Sequence, residues 1–95
     1  MKKEPVRAQR EITIVNELGL HARPAAEFVR RANSFRSEIT LVTRNGRFSA
    51  LSLIDVMRAN LERGAVATLE ASGVDAEEAV ERLARLVREM PDYAD

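Results

Sequence analysis

The sequence predicts an α+β domain, a sheet with its helices packed on one face, because strand-like alternation and helix-like periodicity follow one another as strand, helix, strand, strand, helix, strand, helix. Three observations carry this. Short segments alternate apolar and polar residues with a period of two, two longer ones draw apolar stripes at spacings of three and four, and Asn45-Gly46 marks a tight hairpin turn between the second and third strands. Periodicity defines the elements and leaves their pairing open.

The first strand is read from Glu11 to Val15, with Ile12 and Ile14 on one face and Glu11 and Thr13 on the other. Ala25, Phe28, Val29, Ala32 and Phe35 then recur at helical spacing, which predicts a helix from Ala22 to about Asn33. Alternation returns at Glu38 to Thr43 through Ile39 and Leu41, and a short third strand follows the turn near Arg47 to Ala50. Ser52 opens a second helix reaching roughly Glu62, with Asp55 three residues later completing a capping-box pattern and Gly64 as its stop. Ala67, Leu69 and Ala71 form the inner face of a fourth strand, closed by Ser72-Gly73. Asp75 caps the last helix, whose first turn is acidic. Its buried stripe is Ala79, Val80, Leu83, Leu86, Val87 and Met90, and Glu78 with Arg82 and Glu81 with Arg85 are placed to pair on the wet side.

Ninety-five residues suit one domain with a single modest core. The domain is expected over residues 11–90, with a flexible basic arm at 1–10 and a short tail at 91–95. Neither an internal repeat nor a low-complexity tract divides it. Fifteen basic and fifteen acidic residues cancel, and one Tyr, three Phe and no Trp offer no base-stacking platform, which argues against nucleic acid as a partner. The absence of cysteine excludes a disulfide framework and is compatible with the cytoplasm. No apolar run approaches membrane-spanning length, so no membrane insertion is expected.

The chemistry concentrates in Gly19-Leu20-His21-Ala22-Arg23-Pro24-Ala25-Ala26. This stretch places the only histidine where a strand-ending loop meets a helix start, with Pro24 inside the first turn, where its missing N–H costs little. The unpaired N–H groups of that turn and the helix dipole favour an anion beside His21, and Arg23 adds a planar multidentate donor. A structural cap is the plainer reading of a lone histidine. Caps, however, are more often Ser, Thr, Asp or Asn, and a cap needs neither Arg23 nor the small residues around it. An imidazole is largely neutral at cytoplasmic pH and can attack phosphorus without a separate base. One histidine without cysteine lacks a zinc or iron ligand set, so no metal is expected.

This octapeptide resembles the active-site signature of HPr, the histidine-containing phosphocarrier family of the bacterial phosphoenolpyruvate-dependent phosphotransferase system. The resemblance extends through Asn45-Gly46, Ser52-Leu53-Ile54-Asp55-Val56-Met57 and Gly64-Ala65, over about Glu11 to Met90. It implies a four-stranded antiparallel sheet covered on one side by three helices. It also implies phosphorylation of His21 on the delta nitrogen by enzyme I and delivery to an enzyme IIA domain, with backbone N–H groups at Ala22 and Arg23 holding the phosphoryl group. The cofactor is then a covalent phosphohistidine and nothing else. The chain is a relay, expected as a monomer, rather than a complete enzyme, since no P-loop, magnesium-binding carboxylate pair or kinase signature is present.

Partner docking is assigned by the resemblance to Leu53, Ile54 and Met57, with Arg23 and Arg30 as a charged rim. On periodicity alone this set and the set of Val56, Ala59 or Asn60, and Leu61 compete for the core, and Leu53 or Met57 could be buried. Ser52 matches the site at which many HPr proteins are phosphorylated by an HPr kinase/phosphorylase, although an N-cap role explains it equally. Two departures bear on this: Asp55 stands where the family more often has Gly, and Leu51 replaces a common basic residue. Sugar uptake is one expected setting; the alternative is a regulatory binding module of the same fold, including the nitrogen-related phosphotransfer branch, acting by stoichiometric docking.

Overall fold

The computed structural model describes residues 6–20 and 22–91. β2 (Glu38–Thr43), β3 (Gly46–Ser49) and β4 (Val66–Ser72) fall within a residue of the segments that alternation selects. β1 (Arg7–Thr13) forms one edge of a fully antiparallel sheet in the order β1-β4-β2-β3. Its register sets Ile12 opposite Ala67, and Leu41 opposite Leu69, so the strands present one continuous apolar face. Phe28 of α1 (Ala22–Ala32), Val56 of α2 (Leu53–Arg58), and Leu83 and Val87 of α3 (Ala76–Glu89) are buried with that face in a single core. Among the described residues, the opposite face of the sheet carries no helix. The chain is therefore a βαββαβα open-faced sandwich.

Four local expectations need correction. β1 begins at Arg7, inside the stretch read as a flexible arm, and ends at Thr13 rather than Val15. Pairing with β4 carries it: Arg7 and Gln9 face solvent, while Ala8 packs against the core and Arg10 forms an ion pair with Glu81 of α3. Arginine and alanine on the inner face give no hydrophobic alternation, which hides the strand from a periodicity argument. Met1–Pro5 and Asp92–Asp95 lie outside the described residues.

α2 stops at Arg58, well short of Glu62 and Gly64. Asn60 adopts φ 53°, a left-handed conformation that asparagine tolerates and that ends a helix. Asp75 precedes α3 but makes no side-chain cap there, because its carboxylate is held by the α1–β2 connection. Finally, Glu81 pairs with Arg10 instead of Arg85, whereas the expected Glu78–Arg82 pair is present. Among the described residues no helix is long and apolar enough to cross a membrane.

Candidate functional site

The loop from β1 into α1 is held at three points. Asn16 is buried and its side-chain amide donates to the carbonyls of Pro91 at 3.1 Å and Met90 at 3.4 Å, which ties the start of the loop to the end of α3. Its Oδ1 is buried without a hydrogen-bond partner among the described residues. Gly19 donates its N–H to the Asn16 carbonyl at 3.1 Å and Leu20 donates to Leu61 at 2.8 Å, so the loop closes on itself and then onto the α2–β4 connection. Gly19 is required here on two counts. Its φ is 76°, and a Cβ would stand 2.5 Å from the Leu61 carbonyl oxygen.

His21, expected as the phosphoryl acceptor, lies outside the described residues, and the site is defined by its flanks. Leu20 on one side is buried. Ala22 on the other has φ 48°, a left-handed conformation that costs a residue with a Cβ about 1–2 kcal/mol. Such strain persists where surrounding contacts over-determine the backbone, and it clusters at functional sites. α1 then carries no acidic residue in its first turn and has Arg30 and Arg31 in its last, a charge order that leaves the positive N-terminal end open to an external anion. Pro24 is buried in that first turn, and Arg23 is exposed beside it.

The choice between the two faces of α2 is resolved by exposure. Leu53, Ile54 and Met57 are 40%, 72% and 45% exposed, whereas Val56, Ala59 and Leu61 are buried. Three apolar side chains thus face solvent on a helix that packs against α1, and Leu61, just beyond that helix, holds Leu20. Ser52 caps α2: its Oγ accepts from the Asp55 N–H at 3.2 Å. Asp55 does not return the bond to Ser52, as a full capping box would. Its carboxylate instead accepts from the Ser49 N–H at 3.1 Å and fixes the exit from β3.

Three residues around the site escape a motif reading. Asn16 looks like any polar loop residue until its burial is known. Leu18 is exposed in the same loop, an apolar side chain with no periodic partner to flag it. Glu27 pairs with Arg30, and its signal was present as opposite charges three residues apart on a helix. A recess of about 230 Å³ lined by Arg23, Ala26, Glu27 and Arg30 lies on this exposed side of α1. A larger one of about 570 Å³ lies on the uncovered sheet face, where Arg47 pairs with Glu70, among residues that are not part of the His21 loop.

The strained start of α1 at Ala22 and exposed Arg23 thus lie in a chain whose second helix leaves Leu53, Ile54 and Met57 facing solvent. A family model for the phosphorylation site of the phosphotransferase-system HPr component matches residues 8–89. Phosphocarrier protein HPr of Vibrio cholerae is 39% identical over 82 residues, covering 86% of this chain and 96% of that protein. The crystal structure of HPr from Bacillus anthracis superposes with a TM-score of 0.82 at 36% identity, over 85% of this chain and 96% of the other. Crh of Bacillus subtilis, a catabolite-repression protein crystallised as a domain-swapped dimer, matches at 38% identity with a TM-score of 0.70, over 86% and 94%. The chain belongs to the HPr family, the phosphocarriers of the phosphotransferase system.

Proposed function

We propose that His21 accepts a phosphoryl group from enzyme I and passes it to a histidine of an enzyme IIA domain. The observation that carries this reading is the Gly19 to Ala26 octapeptide, set at the start of α1 inside the family match. On loading, the imidazole Nδ1 lone pair forms a bond to phosphorus as the bond to the donor breaks; on delivery, the acceptor histidine's ring nitrogen forms the new bond to phosphorus as the Nδ1–phosphorus bond breaks and His21 leaves. Amides at Ala22 and Arg23, with the Arg23 guanidinium, offset the charge of the bound phosphoryl group. Leu53, Ile54 and Met57 form the docking patch, with Arg23 and Arg30 at its rim. Weak, exchangeable docking suits a protein that must leave one partner to reach the next.

The carrier works as a monomer in the cytoplasm on this reading. Similarity to Crh favours, as a second reading, a regulatory role for the same surface. Incubation with enzyme I and labelled phosphoenolpyruvate tests the carrier chemistry. An acid-labile, base-stable label that disappears in a folded His21→Ala variant is expected, and undiminished labelling of that variant excludes His21 as the acceptor.

A further inference from the structure

Arg30, one of the two rim arginines, is already engaged. Its Nη2 donates to Glu27 Oε1 at 2.7 Å and its Nε to Oε2 at 3.1 Å, with a further close contact between Nη2 and Oε2. The two side chains are unequally placed: Glu27 is 21% exposed and Arg30 is 71% exposed. The carboxylate is therefore seated on the surface of α1 while the guanidinium reaches outward from it. Exposed Ala26, with its minimal side chain, leaves the recess among Arg23, Glu27 and Arg30 open to an incoming group.

We propose that Glu27 sets partner specificity at the docking surface by acting as the internal counter-ion of Arg30, which a carboxylate on the partner must displace or tolerate. This rests on the reading that Arg23 and Arg30 rim the surface that meets enzyme I and enzyme IIA. The bonds to Glu27 occupy the Nε–Nη2 edge of the guanidinium. A partner carboxylate that takes that edge must break them; one that approaches from the remaining edge meets the charge of Glu27 across the same planar group. Both routes penalise an acidic partner. The surface therefore binds weakly, and only those partners whose negative charge outweighs Glu27 recruit Arg30.

The chemistry is modest in size, because an exposed ion pair is weak and salt screens it. Glu27→Gln keeps the side-chain volume and removes the charge. With enzyme I and phosphoenolpyruvate, its KM as a phosphoryl acceptor is expected to fall by roughly two- to five-fold at low ionic strength, from the usual strength of such pairs. The gain falls on KM rather than kcat, and it shrinks at high salt. In an Arg30→Ala background the same substitution is expected to change KM much less. An unchanged or raised KM in Glu27→Gln overturns the proposal, as does an equal fall in the Arg30→Ala background, which would mean long-range repulsion without a counter-ion role. Glu27 as a merely structural residue would move the thermal midpoint and leave the salt dependence of KM alone. Failure of enzyme I to label His21 in the folded wild-type chain would instead overturn the carrier reading, and this proposal with it.

Discussion

Asp75, the residue before α3, accepts a hydrogen bond from the Ser37 hydroxyl at 2.6 Å and another from the Arg36 backbone N–H at 2.9 Å, and so ties the start of α3 to the α1–β2 connection. Ser37 is buried, and Gly73 passes it so closely that a Cβ there would lie 2.7 Å from the Ser37 Cα. The Ser37 hydroxyl first, then the Arg36 N–H, hold the Asp75 carboxyl below its ordinary pKa, because both donate to the charged form. A carboxylate whose folded pKa is depressed contributes stability that is present above its unfolded pKa and is lost as pH falls through the lowered folded value. Asp75→Ala is therefore expected to destabilise the protein at neutral pH, and its deficit against wild type to narrow at pH values below the usual aspartate range. Urea unfolding across that range checks it; a deficit independent of pH would assign the loss to something other than the ionised carboxylate.

Gly19 and Gly64 separate two costs that usually arrive together. Both have positive φ, 76° and 87°, but a Cβ at Gly19 meets backbone at 2.5 Å whereas one at Gly64 meets nothing within 4 Å. Gly64→Ala should cost about 1–2 kcal/mol, the conformational term alone. Gly19→Ala adds a clash with a carbonyl that cannot swing aside, for a total of roughly 2–4 kcal/mol. Because the displaced loop leads directly into His21, Gly19→Ala should also slow labelling by enzyme I under conditions where the variant remains folded. Equal stability losses in the two alanine variants would remove the close approach from the account.

On α2, exposure predicts opposite outcomes for two residues only two positions apart. Ile54→Glu is expected to leave the urea midpoint nearly unchanged, since that side chain is 72% exposed, and to weaken binding to enzyme I measured by titration. Val56→Ala, at a fully buried position, should lower stability on the order of 2 kcal/mol while leaving the exposed apolar side chains of α2 in place. Leu53→Glu falls between these because Leu53 retains some packing. Tight binding by Ile54→Glu would take the patch off the docking surface.

How much of this was legible in the sequence depends on what each residue reports. β2 and β4 declare themselves because their inner faces are uniformly apolar, from Ile39 and Leu41 to Ala67, Leu69 and Ala71. The first half of β1 does not, since Ala8 and Arg10 face inward and only the ladder to β4 and the ion pair with Glu81 make them strand residues. The end of α2 is hidden for a similar reason: Gly64 is the stronger stop signal in the sequence, but Asn60 takes the left-handed turn first. At the site, the octapeptide is readable as a motif because it matches a family signature within residues 8–89. The buried amide of Asn16, the outward Leu18 and the redirected carboxylates of Asp75 and Asp55 depend on which distant backbone group lies alongside, and local spacing carries no record of that.

Ser52 and Asp55 pose the last question, whether a cap can also be a switch. The Ser52 Oγ is an acceptor for the Asp55 N–H, so Ser52→Ala should cost on the order of 1 kcal/mol and Ser52→Asp should retain the cap. The Asp55 carboxylate, held toward Ser49, stays on the same turn as Ser52, where it would repel a phosphate on that serine and offset the favourable field of the helix start. Wild type and Asp55→Gly, each treated with an HPr kinase and ATP, measure that repulsion. Faster labelling of Asp55→Gly is the expected result. Because the glycine also removes the bond to Ser49 and loosens the helix start, Asp55→Asn serves as the second arm: it keeps an acceptor for the Ser49 N–H while removing the charge, and it should be labelled faster than wild type as well. Equal, efficient labelling of all three proteins would mean that the carboxylate is no barrier and that Ser52 is a competent phosphorylation site as it stands.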